Sequence, residues 1–164
     1  MKTLYLVGGT MGVGKTTACT VLKQKLPKAV FLDGDWCWDM HPFVVNAETQ
    51  AMVLDNITHT LNNFLACSQF EHVIFCWVMH RQSILDDILT RLNTENCRVL
   101  PISLTCSEAA LRSRLTRDIN SGLRQSDILD RSLPRLPLYA SLDTIKIDTT
   151  FLTAEETADT IAAL

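Results

Sequence analysis

Gly8 to Thr17 carry the residue pattern with the most definite chemistry in the chain. From Gly9 the order is Gly9-Thr10-Met11-Gly12-Val13-Gly14-Lys15-Thr16, which fits G-x-x-x-x-G-K-[ST], a phosphate-binding loop. The glycines permit backbone angles closed to other residues and a close approach to an anion. The loop amides and the first turn of the next helix, through Thr17, offer donors and partial positive charge. Lys15 reaches the β- and γ-phosphates of a nucleotide, and the Thr16 hydroxyl is a ligand for Mg²⁺. A glycine-rich turn could match by coincidence. The flanks argue against it: an apolar run, Leu4 to Val7, enters, and a helical pattern, Thr16 to Leu26, leaves.

A second cluster is Asp33-Gly34-Asp35, at the end of the next apolar run. Two carboxylates two residues apart share a side if the strand continues. Beside a phosphate loop, Asp33 can hold Mg²⁺ through water, and Asp35 can accept the proton of an attacking hydroxyl. The plainer reading is a turn around Gly34 with two solvated acids. Trp36 and Trp38 follow, and either line a pocket for a flat or apolar substrate or plug the core. The third strand ends Cys76-Trp77-Val78-Met79-His80-Arg81, with Trp77 and Met79 on one face by alternation. It offers no aspartate for a second metal-binding motif, so Asp33 is the best metal partner.

Between Lys28 and Arg81 there is no lysine or arginine. An acceptor phosphate or carboxylate usually meets an arginine fork. The gap points to a neutral acceptor, such as a nucleoside, a sugar or an apolar alcohol. Arg81 or Arg135 would supply the cation for an anionic one. Arg117 and Arg124 flank a polar, glycine-containing stretch, Asp118 to Leu123, and 118–126 reads as a lid over the phosphates. Arg114 and Arg131 read instead as helix-surface residues paired with Asp118 and Asp127 at i,i+4.

These groups need a frame to position them. Strands are expected at Leu4–Val7, Ala29–Leu32, His72–Met79, Arg98–Leu104 and Thr144–Ile147. Helices are expected from Thr16, from an Asn46 cap, from Ser83, from a Ser107 cap and from a Thr153–Glu156 capping box. Ser126 to Ala140 is partly helical, disturbed by Pro134 and Pro137. Five short strands separated by helices imply an α/β fold, a parallel five-stranded sheet with helices on both faces. Ligands bind at the carboxyl ends of such strands.

The 164 residues fit a single domain, 1–164, with an apolar fraction of 47% and a net charge of −3. That charge argues against a partner of long nucleic acid, and no apolar run is long enough to span a membrane. The first strand begins close to Met1, so no targeting peptide is expected and the location reads as cytoplasmic. The cysteines, at 19, 37, 67, 76, 97 and 106, fit no zinc spacing and read as thiols in a reducing compartment.

Together these residues resemble the P-loop small-molecule kinases of the nucleoside-monophosphate-kinase-like fold, which include shikimate kinase, gluconate kinase and chloramphenicol phosphotransferase. The resemblance runs over essentially the full length. It implies a three-layer P-loop fold, ATP and Mg²⁺ as cofactors, and phosphorylation of a small-molecule hydroxyl; monomer and homodimer both stay open. Gly9 to Thr16 match the family's ATP loop. Asp33-Gly34-Asp35 looks like its D-x-D, whose first acid helps hold Mg²⁺ and whose second contacts the acceptor. Arg117 and Arg124 are similar in spacing to a family pair, one stacking on adenine and one in the lid. Arg135-Leu136-Pro137-Leu138-Tyr139 looks like a segment whose arginine faces the substrate in shikimate kinase. Ile147-Asp148-Thr149-Thr150 resembles the loop bordering adenine, which makes Thr149 a cofactor residue.

The implied machinery is Lys15, Asp35, Arg117 and Arg124 at the reacting groups, with Asp35, Trp36, Trp38, Trp77, Arg81 and Arg135 toward the acceptor. The chain departs from shikimate kinase in having Trp77 to Arg81 where that enzyme has a glycine-rich turn. It also has no arginine between Lys28 and Arg81, where shikimate kinase has an acceptor-side one, so shikimate is not the expected acceptor. Antibiotic and nucleoside phosphotransferases are nearer in character. The rivals are a nucleotide or polynucleotide kinase and a non-catalytic nucleotide-binding regulatory module. A GTPase switch is disfavoured, since no N-K-x-D segment occurs.

Overall fold

A computed structural model describes residues 1–164. Its centre is a five-stranded sheet, all parallel: β1 (Lys2–Gly8), β2 (Ala29–Asp33), β3 (His72–Trp77), β4 (Cys97–Thr105) and β5 (Ile145–Asp148), in the order β2-β3-β1-β4-β5. The helices are α1 (Lys15–Lys25), α2 (Ala47–Ala66), α3 (Gln82–Thr90), α4 (Glu108–Asn120), α5 (Ile128–Ser132) and α6 (Ala154–Ala162).

Alternation along β1 divides the core in two. Tyr5 and Val7 face one layer, with Cys19 and Leu22 of α1, Leu111 and Leu115 of α4, and Ile161 of α6. Leu4 and Leu6 face the other, with Val53, Ile57 and Leu61 of α2 and Leu85 and Ile88 of α3. A strand buried on both faces is apolar at every position, which is why these strands read as continuous runs. No helix is long and apolar enough to cross a membrane.

Register brings the chemistry to one edge. Cys76 of β3 pairs with Val7 of β1 on one side and Asp33 of β2 on the other. The loop after Gly8 and the acids after β2 therefore leave the sheet in the same row, where the strand order reverses.

One strand end needs correction, and of the two readings of the paired acids the turn is the one that forms. β2 stops at Asp33, and a 3₁₀ turn, Gly34–Trp38, begins at once. Asp33 caps that turn by accepting from the Asp35 amide, so strand alternation does not set the direction of the two acids. The third strand ends at Trp77, not Met79, whose φ of 34 breaks the extended path. The Asn46 and Thr153 caps form as expected, each as a reciprocal capping box, with Thr49 as the partner of Asn46. Pro137 falls inside a 3₁₀ stretch, Leu133–Ser141.

Candidate active site

The phosphate loop is held open by its own backbone and by a residue far along the chain. Gly14 precedes α1 with φ 103, a left-handed angle that costs other residues strain. Lys15 Nζ donates to the Thr10 carbonyl at 3.1 Å. Thr10 is fully buried, and its hydroxyl pairs with the Ser132 hydroxyl and backbone carbonyl, each at 2.8 Å. Ser132 Oγ in turn donates to the Met11 carbonyl. Burial pulls the Lys15 ammonium below the usual lysine range, while Asp35 and Asp33 are among the groups that oppose the shift.

Asp33 is 4% exposed and takes two hydrogen bonds. Thr16 Oγ1 donates to Oδ2 at 2.6 Å, and the Asp35 amide donates to Oδ1 at 3.0 Å. The Asp35 carboxyl lies above the usual carboxylate range, first through desolvation and then through the charge of Asp33. Lys15, Arg124 and the Trp77 indole act in the opposite direction. Gly34 between the acids is required by contact: a Cβ there would stand 2.6 Å from Cγ of Trp77.

Two cavities meet here. One, of about 490 Å³, is lined by Met11 to Thr17, Arg114, Arg117, Arg124 and Thr149. The other, of about 710 Å³, is walled by Trp36, Trp38, Phe43, Trp77 and Met79, with His80, Arg131 and Arg135 among its polar groups. Asp35 lines both.

The remaining expected residues fall into place unevenly. Trp38 lines the larger cavity and also packs against the core. Trp36 is 58% exposed and meets Phe31 edge-on at 5.4 Å. Arg124 and Arg117 approach Asp118 at 3.2 and 3.8 Å. Arg135 rests against Met11 Sδ at 3.1 Å. Gly9 and Thr10 line neither cavity, and Arg81, at the start of α3, lines neither as well.

Arg114 departs from its expected pairing with Asp118. Its guanidinium reaches the Val13 carbonyl at 3.2 Å, Thr149 Oγ1 at 3.2 Å and the Thr149 carbonyl at 2.6 Å, tying the phosphate loop to the segment after β5. Arg131 does pair with Asp127, at 3.3 Å, and borders the larger cavity too. Ser132, Phe43 and His80 had no spacing signal in the sequence. Ser132 reaches the site through tertiary contact, whereas His80 follows the carboxyl end of β3 directly.

An AAA domain family matches residues 6–130, an interval that runs from β1 through the phosphate loop to α5. The chain belongs to this AAA domain family. Among solved structures, this AAA domain chain is similar to the tunicamycin resistance protein of Deinococcus radiodurans, with TM-score 0.71, 18% identity, and 99% and 95% of the two chains covered. It is similar to a gluconokinase from Sinorhizobium meliloti 1021, with TM-score 0.66, 19% identity, and 96% and 89% covered. It is also similar to a shikimate kinase from Acinetobacter baumannii in complex with shikimate, with TM-score 0.65, 22% identity, and 99% and 91% covered. At these identities the likeness is one of fold, a P-loop α/β fold of the nucleoside-monophosphate-kinase-like kind. No curated protein sequence matches the chain.

Proposed function

We propose that the chain is an ATP-dependent kinase that phosphorylates a hydroxyl of a small neutral molecule. The observation that carries this reading is the position of Asp35, shared by a phosphate-loop cavity and an aromatic-walled one. Such a carboxylate can take a proton from an alcohol on one side while the phosphoryl donor lies on the other. Its raised pKa suits a base. Two of the solved neighbours carry kinase names, which supports the same class.

ATP is assigned to the loop from Gly9 to Thr17, with Arg117 and Thr149 toward the base. Lys15, Arg117 and Arg124 stabilise charge on the phosphoryl group in flight. Asp118 holds both lid arginines until a triphosphate offers them more charge. Closure of 118–126 excludes water and favours the alcohol as the attacking group. Thr16 and Asp33 fit a Mg²⁺ site: a hydroxyl and a carboxylate already in contact are hard oxygen donors beside the phosphates. When bound, the ion supplies charge neutralisation on the phosphates.

The acceptor cavity balances Arg131 and Arg135 against Asp35 and Asp39, which favours a neutral acceptor. Its tryptophans favour one with an apolar or aromatic face. The unit is one domain working in the cytoplasm, as a monomer or homodimer, and its six free cysteines suit that compartment.

The test is ADP release with MgATP against neutral alcohols, namely nucleosides, sugars and hydroxylated antibiotics, with gluconate, shikimate and nucleoside monophosphates as anionic controls. Acceptor-dependent release with a neutral compound is the expected result. Release only with anions overturns the neutral acceptor and points to Arg135. Tight ATP binding with no release from any compound favours a regulatory module.

A further inference from the structure

His80 carries an unmet demand in the acceptor cavity. Its Nδ1 is closed off from solvent and has no hydrogen-bond partner, and the residue lines that cavity. Buried polar atoms are nearly always paired, because an unpaired one has given up its hydration for nothing.

The backbone that presents the ring is constrained as well. Met79, just before it, is 3% exposed and sits at φ 34, a left-handed angle that residues with a Cβ rarely adopt. Val78 precedes it, and its carbonyl accepts from both the Tyr139 hydroxyl and the Gly9 amide. The turn is thus pinned from the phosphate loop and from the Leu133–Ser141 stretch. Backbone strain held in place beside a cavity marks a side chain kept for what it does there.

The surroundings define what the ring can bind. Burial first, then Arg135 and Arg81, hold its pKa below the ordinary histidine value. The ring is therefore neutral, with one N–H donor and one lone pair. A hydroxyl or an amide complements either nitrogen. An anion would be taken by the neighbouring guanidinium groups.

We infer that His80 is a specificity-determining residue, whose ring hydrogen-bonds a second neutral polar group of the acceptor, separate from the hydroxyl presented to Asp35. The inference rests on the kinase reading and narrows it. The acceptor is a molecule with two neutral polar groups set on a body that lies along Trp36 and Trp77. The second group takes the place of the missing partner after a half-turn of the ring about its Cβ–Cγ bond.

The experiment compares wild type, His80→Phe and His80→Asn. Asparagine keeps a polar group near the position of Nδ1, and phenylalanine keeps only the ring. Uridine and glucose, each with its monodeoxy analogues, serve as acceptors, read by ADP release and thermal unfolding. With the best of these, His80→Phe is expected to raise the acceptor KM about ten-fold, the effect of one lost hydrogen bond. The KM for MgATP stays at its wild-type value, Tm does not fall, and His80→Asn restores most of the loss. The analogue lacking the recognised group serves wild type and His80→Phe equally poorly, as expected for two partners of one contact.

A fall in Tm with an unchanged acceptor KM makes His80 a packing residue and overturns the inference. So does an asparagine variant no better than phenylalanine. If the wild type turns over none of these alcohols, the acceptor reading fails first and the inference falls with it.

Discussion

Asp35 is held between opposing influences: burial and Asp33 push its proton affinity up, and Lys15 and Arg124 pull it down. Removing its basicity while keeping its shape, as in Asp35→Asn, is expected to lower kcat by about 10²–10⁴-fold, the usual yield of general base catalysis. ATP affinity, read by calorimetry, stays near wild type. The sign of the pH dependence follows from the raised pKa. The base works only when deprotonated, so activity falls as pH drops through that value. The acid limb of kcat/KM for MgATP is expected above the ordinary aspartate pKa of about 4. A limb at or below that value removes Asp35 as the base. Arg114 is the other residue whose substitution is informative. Its three bonds to Val13 and Thr149 use the planar fork of the guanidinium, so Arg114→Lys is expected to fail almost as fully as Arg114→Ala. Each should weaken MgATP binding about ten-fold, about 1.4 kcal/mol, by untying the phosphate loop from the segment after β5.

At the level of elements, α6 borders the nucleotide cavity through Ala154 and Thr157 and is remote only from the acceptor cavity. The capping box of α6 lies away from the acceptor, so Thr153→Ala is expected to cost about 1 kcal/mol in denaturant unfolding and leave the acceptor KM alone. Gly34→Ala should change both stability and the acceptor site. It drives a methyl group into Trp77, moves the acceptor wall and raises the acceptor KM, read in the same ADP assay. The strands and helices were readable because buried parallel strands are apolar runs and because caps use a few polar residue types. Asp33, Asp35, Lys15 and Thr16 were readable because their chemistry sits in short local patterns. The end of β2 at Asp33 was readable as well, but the burial of Asp33 was not, since it depends on the fold around the turn. Arg114 satisfied a helical i,i+4 rule on paper, yet its partners lie 101 and 35 residues away in sequence. Ser132 likewise owes its position to tertiary contacts, which local spacing does not encode.

For the whole molecule, the two cavities predict two separate ligand responses. MgATP at one hundred times its Kd should stabilise the fold by about 2.7 kcal/mol, seen as a concentration-dependent rise in Tm. Lys15→Ala is expected to abolish most of that rise. The cation-free interval between Lys28 and Arg81 has a further consequence, for proteases. Trypsin cuts after lysine and arginine, so it leaves Ala29 through Arg81 as one fragment and attacks the nucleotide side, where Arg117 is largely exposed. A protease that cuts after aromatic residues has Trp36 and Phe43 open to it on the acceptor side. Nicking after Arg117 therefore reports closure over the nucleotide, and nicking after Trp36 or Phe43 reports occupancy of the acceptor wall. The order in which the two substrates protect the chain can be read from fragment sizes alone, before any product is formed.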